Sequence, residues 1–195
     1  MSDMIDDENM QALLEKLGDP ALDDEGILNE VLLKYPEDPR LHFLKGSTFA
    51  ESGRLIEAHA ALSQAVKLAP DFHIARFQLG FFQLTSGESD NALKTWARLD
   101  GLPKDHYLRI FVIGLRHLIR DELPECEEML KKGISLNTEN PPLNTDMQLI
   151  ISQIRPLMEG KESSEAGAPA SEAEDAEAEA SLTSILLQQS NTTKH

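Results

Sequence analysis

Near both ends of residues 1–158, apolar side chains recur at helical intervals. Met10, Leu13, Leu14 and Leu17 are spaced by threes and fours, as are Ile27, Leu28, Val31 and Leu32. Leu143, Met147, Ile150, Ile151 and Ile154 repeat the pattern. Such spacing lays an apolar stripe along one face of an α-helix. The last helix is expected to begin after Asn140, at Pro141-Pro142, and to stop at Pro156, since proline suits a first turn and breaks a helix interior.

Between these ends the dominant signal is a period. Gly46, Gly80 and Gly114 are 34 residues apart, as are Phe43, Phe77 and Phe111. Ala58, Ala92 and Cys126 take the same step, and so do Gly53 and Gly87, and Pro36 and Pro70. Small residues at Gly46, Gly80 and Gly114 let one helix approach a partner; Ala58, Ala92 and Cys126 do so from the second helix. Gly53 and Gly87 suit the left-handed residue that ends a helix. Asp71 or Asp105 is expected to cap the helix that follows. Two helices per unit cannot bury their apolar faces alone, so units must stack.

The pattern resembles the tetratricopeptide repeat. From Pro39, the first clear unit carries Gly46, Phe49, Gly53, Ala58, Leu62, Ala65 and Pro70 at signature positions, with Lys45 in place of the usual leucine. The second, from His73, keeps Leu79, Gly80, Gly87, Ala92 and Trp96 but departs at Gln83 and Leu99. The third, from Tyr107, keeps Ile113, Gly114, Cys126, Leu130 and Gly133, with Asp121 for the inter-helix glycine and Thr138 for the terminal proline. Pro124 fits only the first turn of its second helix. Ala12, Leu28, Val31 and Pro36 place a degenerate unit upstream. The resemblance implies an all-α solenoid over 5–158, with units at 5–38, 39–72, 73–106 and 107–140 and a capping helix at 141–155.

In this family the first helix of each unit lines a concave face. The resemblance puts the apolar Phe43, Ile74, Phe77, Phe81, Leu84, Leu108, Phe111, Leu115 and Leu118 there, together with Arg40. It also argues against clamping of a terminal carboxylate, which takes Lys, Arg and Asn at such positions. An apolar concavity fits an amphipathic helix or an apolar peptide. The same residues also suit plain packing, Leu108, Leu115 and Leu118 beneath the capping helix. Phe81 and Leu84 are the better ligand contacts, because Phe81 and Phe82 cannot share a face.

Charge changes the picture at the ends. The chain of 195 residues has 18 Lys+Arg and 34 Asp+Glu, a net charge of −16. Residues 1–30 hold ten acids and one base, and residues 159–180 eight acids and one base, whereas 31–158 hold sixteen acids and fifteen bases. This balance disfavours nucleic acid and anionic membranes as partners. Residues 159–180 are rich in Ala, Ser and Glu and lack the apolar content of a core, so a disordered acidic linker is expected. Beyond it, in 181–195, Leu182, Ile185 and Leu186 form a short apolar motif. Three uses are open to it: contact with the chain's own groove, docking to another protein, or none.

Catalytic chemistry is not legible. The single cysteine suits a reducing compartment and a packing role. The six histidines form no His-x3-His pair, so no metal site or cofactor is expected. There is no phosphate-binding glycine loop and no nucleophile elbow. Arg109, Arg116 and Arg120 make a modest basic strip, either a docking surface or a solvated face paired with acids. The acidic amino-terminal stretch has no leader pattern, and no apolar run is long enough to span a membrane, so a cytoplasmic protein is expected. The expected function is non-enzymatic: a protein-interaction module serving as adaptor or scaffold, with a client-specific chaperone of the secretion type as the alternative.

Overall fold

The computed structural model describes residues 4–17, 19 and 21–165. Most of the expected linker and all of 181–195 lie outside the described residues. Within them the chain forms nine α-helices: α1 Asp7–Lys16, α2 Asp24–Lys34, α3 Pro39–Glu51, α4 Leu55–Leu68, α5 His73–Thr85, α6 Ser89–Trp96, α7 Tyr107–Ile119, α8 Leu123–Leu136 and α9 Pro141–Glu165. They fall into two compact units, one ending at Phe82 and the other beginning at Gln83.

In the first unit, Ile5, Met10, Leu13, Leu28 and Leu41 are buried together, flanked by Leu17, Val31, Leu32, Tyr35 and Leu44. Residues 5–38 are thus a helix pair whose stripes meet the start of α3. Leu14 stays 44% exposed, because one residue of helix turns it away from Leu13. Pro39 opens α3, and the Asp38 carboxylate caps it by accepting the Arg40 backbone N–H at 2.9 Å. At Gly46 the helices α3 and α4 close up: a Cβ there would lie 2.7 Å from Leu62 Cγ.

The turns between paired helices repeat one hydrogen-bond design. The Arg54 N–H donates to Phe49, Glu88 to Gln83 and Glu122 to His117, at 2.9, 2.8 and 3.0 Å. This six-to-one bond needs a left-handed residue just before the donor. Gly53 and Gly87 supply it at φ 73° and 81°, and Asp121 supplies it at φ 59°. The third unit therefore keeps the turn although it lost the glycine.

In the second unit, α6 is short and runs into a 3₁₀ turn over Ala97–Gly101, with Trp96 and Leu99 fully buried. Gln83, a departure from the repeat pattern, is buried and accepts the Thr95 hydroxyl at 2.7 Å. The cap of α7 differs from expectation. His106, one residue after Asp105, holds it, its Nδ1 accepting the Leu108 N–H at 3.2 Å. The helix starts at Tyr107, so Asp105 lies one position too early to cap.

Pro124 sits in the first turn of α8. Asn137, next to the Thr138 that stands for the usual proline, then joins α8 to α9. Its Oδ1 accepts the Asn140 N–H at 2.9 Å, and its Nδ2 donates to the Asn140 carbonyl at 2.6 Å and to Asn144 Oδ1 at 2.8 Å. Pro156, expected to stop α9, lies inside it. Its fixed φ is helical, so the ring deletes one hydrogen bond at a cost of about 3 kcal/mol rather than reversing the chain. Buried Ile150, Ile151 and Ile154, and an Arg155–Glu127 ion pair at 2.8 Å, anchor the helix just before it.

Candidate peptide-binding face

The residues expected along the concave face separate by unit. In the first unit, Phe43 on α3 and Ile74 and Phe81 on α5 are half-buried. The Phe43 ring lies 5.4 Å from that of Phe72, tilted by 59°. Phe77, fully buried, is stacked with Phe81 at 6.1 Å and 13°, one helical turn apart. Phe82 goes elsewhere: it packs against the cluster of Phe49, Ala58 and Ala61, its ring 6.1 Å from His59. Adjacent positions on α5 thus serve different surroundings: both are half-buried, but Phe82 faces the cluster and Phe81 lies beside Phe77.

In the second unit, Leu84, Leu108, Phe111, Leu115 and Leu118 are all buried. Tyr107, Ile110 and Val112 of α7 are buried with them. Phe111 lies against Gly133 of α8, where a methyl group would overlap its ring. The apolar face of α7 is therefore core rather than groove wall, while Arg109, Arg116 and His117 keep its other side partly exposed. Of the nine candidates, Phe43, Ile74 and Phe81 therefore keep surface that a ligand could touch.

The small residues are buried as well: Gly46, Gly80, Gly114, Ala58, Ala92 and Cys126. A Cβ on Gly114 would lie 2.9 Å from Leu130 Cδ2, so α7 and α8 approach as closely there as α3 and α4 do at Gly46. Burial pushes the Cys126 thiol up to about 12, the neighbouring Glu127 charge adding to it, and this removes thiolate chemistry at neutral pH.

Charged residues near the face are engaged internally. Arg40 points its guanidinium at Asp38 Oδ2 (2.8 Å), the Ile5 carbonyl (2.5 Å) and Asp7 (3.3 Å). Burial works to raise the Asp38 carboxyl, but hydrogen bonds from Arg40 and from the Ile5 N–H hold it below the ordinary value. The basic strip is used in the same way. Arg116 forms a bidentate pair with Asp100 at 2.7 and 3.0 Å, Arg120 pairs with Glu122 at 2.9 Å, and Arg109 donates to the Leu102 carbonyl at 2.6 Å. Phe72 and the Asp38–Arg40 pair went unseen in the sequence reading. Their signal was the apolar residue just before α5 and the Asp-Pro start of α3.

Among the described residues no cluster of His, Cys, Asp and Glu could hold a metal ion, and no helix is long and apolar enough to cross a membrane. No family model matches the chain, and no curated protein matches it. Among solved structures it is similar to the MamA RS-1 ArsTM double mutant, with a TM-score of 0.53 and 16% identity over 96% of this chain and 95% of that one. The fold is of the tetratricopeptide-repeat type. At that identity the likeness is one of fold alone.

Proposed function

We propose that the chain is a non-enzymatic protein-interaction module, an adaptor or assembly scaffold of the cytoplasm. Its ligand is an apolar peptide or amphipathic helix held against α3 and α5. One observation carries the reading: on a repeat fold of this type, Phe43, Ile74 and Phe81 stay half-open beside Phe72 and over a buried Phe77. Aromatic side chains supply large contact area at low entropic cost. Burying about 400 Å² of apolar surface yields about 10 kcal/mol gross at 25 cal/mol per Å². Ordering and association consume much of that, which leaves micromolar affinity as the expectation.

The test is an affinity capture with mass spectrometry, comparing the full chain, Phe81→Asp and Phe43→Asp. A partner retained by the full chain and lost in both variants, each still helical by circular dichroism, supports the reading. Equal capture by all three would sink it.

A further inference from the structure

The second unit carries a surface that the proposed function does not use. Helices α8 and α9 pack together, and α9 runs on past Pro156 instead of reversing into a second helix as α3 and α7 do into α4 and α8. Two adjoining cavities of about 540 and 330 Å³ follow the seam between them, sharing Lys131 and Arg155. Pro124 and Met158 line the larger, Ile134 and Ile151 the smaller. Glu127 holds both cations, at 2.7 Å from Lys131 and 2.8 Å from Arg155. Glu128 and Glu159 also line the larger cavity, so three carboxylates face two cations there and the seam's charges nearly balance around its apolar footholds.

We propose that the seam is the docking site of the chain's own segment 181–188, Ser-Leu-Thr-Ser-Ile-Leu-Leu-Gln, which takes the place of the missing second helix. Leu182, Ile185 and Leu186 have the i, i+3, i+4 spacing of a helix stripe, a form that can set apolar side chains on Pro124, Ile134, Ile151 and Met158 in a slot between two helices. The covalent geometry allows it. From Glu165 back to Arg155 is ten residues of helix, about 15 Å at 1.5 Å each. The sixteen residues 166–181 can reach up to about 53 Å when extended, well beyond that need. A tether of this length gives the segment an effective concentration of about millimolar, far above that of a second copy at micromolar protein. This argument selects the chain's own segment over a neighbour's. It does not depend on the face formed by α3 and α5.

The test traps the contact in the full chain. Ser152→Cys is placed on the seam and Ser184→Cys in the segment; Cys126 is buried and stays out of the exchange. Under mild oxidation the double variant should close a disulfide within one chain. Adding Leu182→Asp and Leu186→Asp should slow closure at least tenfold. Independently, the Met158 methyl resonance should shift between the natural chain and the Leu182→Asp/Leu186→Asp chain, which leaves every described residue unaltered. Closure that is equally fast with the aspartates, closure only between two chains, or an unmoved Met158 resonance overturns the proposal.

Discussion

The buried Asp38 carboxylate accepts the backbone N–H of Ile5 at 3.1 Å, across 33 residues of chain. The same carboxylate caps α3 and receives the Arg40 guanidinium, which in turn donates to the Ile5 carbonyl. Two side chains thereby satisfy both backbone groups of Ile5 and tie the residues before α1 to the start of α3. Asp38→Ala removes the cap and leaves the Ile5 amide unsatisfied, so it should cost about 2–3 kcal/mol. Urea unfolding should show this, with Asp38→Asn intermediate. The pH dependence has a definite sign. The folded carboxyl lies below its ordinary value of about 3.9, so its contribution is complete at neutral pH and is lost as pH falls below about 4 through the folded value. The difference between the natural chain and Asp38→Asn should shrink over that acid range.

Asp146 on α9 has the opposite sign. Burial raises its carboxyl above 3.8. The folded chain binds this proton more tightly than the unfolded one, so the ionised group subtracts stability above its folded value and nothing below 3.8. Asp146→Asn should raise the urea midpoint at pH 7, and the gain should vanish in acid. A lower midpoint at pH 7 would count against this account of burial.

Gly53 and Asp121 occupy the same left-handed turn but with opposite fitness. A Cβ on Gly53 would meet nothing within 4 Å, so Gly53→Ala measures the backbone cost alone, about 1 kcal/mol of destabilisation. Asp121→Gly relieves a side chain at φ 59° and should stabilise by up to about 1 kcal/mol, whereas Asp121→Val should cost at least as much as Gly53→Ala. Thermal melts of the three variants would decide the order.

Packing glycines should behave differently from turn glycines. Gly133→Ala drives a methyl group into the Phe111 ring, which is fully buried and has little room to move. Gly46→Ala meets the Leu62 side chain and, at 3.2 Å, its backbone nitrogen. Each gains up to about 1 kcal/mol of helix propensity and loses about 1–3 kcal/mol to overpacking. Both should lower the melting temperature, Gly133→Ala the more.

Cys126 should be inert while the chain is folded. Its thiol is fully buried and pushed up to about 12. Reaction with a thiol reagent at pH 8 should be slow in buffer and fast in 6 M guanidinium, and its rate should follow the unfolding rate. A fast native reaction would show that the second unit opens at α8.

Much of the architecture was legible because a tetratricopeptide-like unit writes its backbone needs into residue size. Gly46 and Gly114 could be read as close approaches without knowing that Leu62 and Leu130 fill them. Gly53 and Gly87 named their turns in advance. Asp121 looked like a departure because the sequence displays the residue and the turn depends on φ, which aspartate reaches at modest cost. His106 displaced Asp105 as cap for a similar reason: one residue of helix start decides which side chain faces the free N–H groups. The candidate face was harder. A register carried along one helix assigns direction but not what covers it, and the apolar face of α7 is covered. Phe43, Ile74 and Phe81 stand apart from the other candidates by partial burial, which no spacing rule reports.

Pro156 interrupts the ladder of α9 without bending it into a turn. The Ser152 carbonyl cannot receive the bond that residue 156 would have donated. In helix–coil terms that gap is a wall between two cooperative blocks. Melting that begins at Glu165 should halt at the proline, so amide protons of Leu157–Glu159 should exchange as one group and those of Ile150–Ile154 as another, orders of magnitude apart.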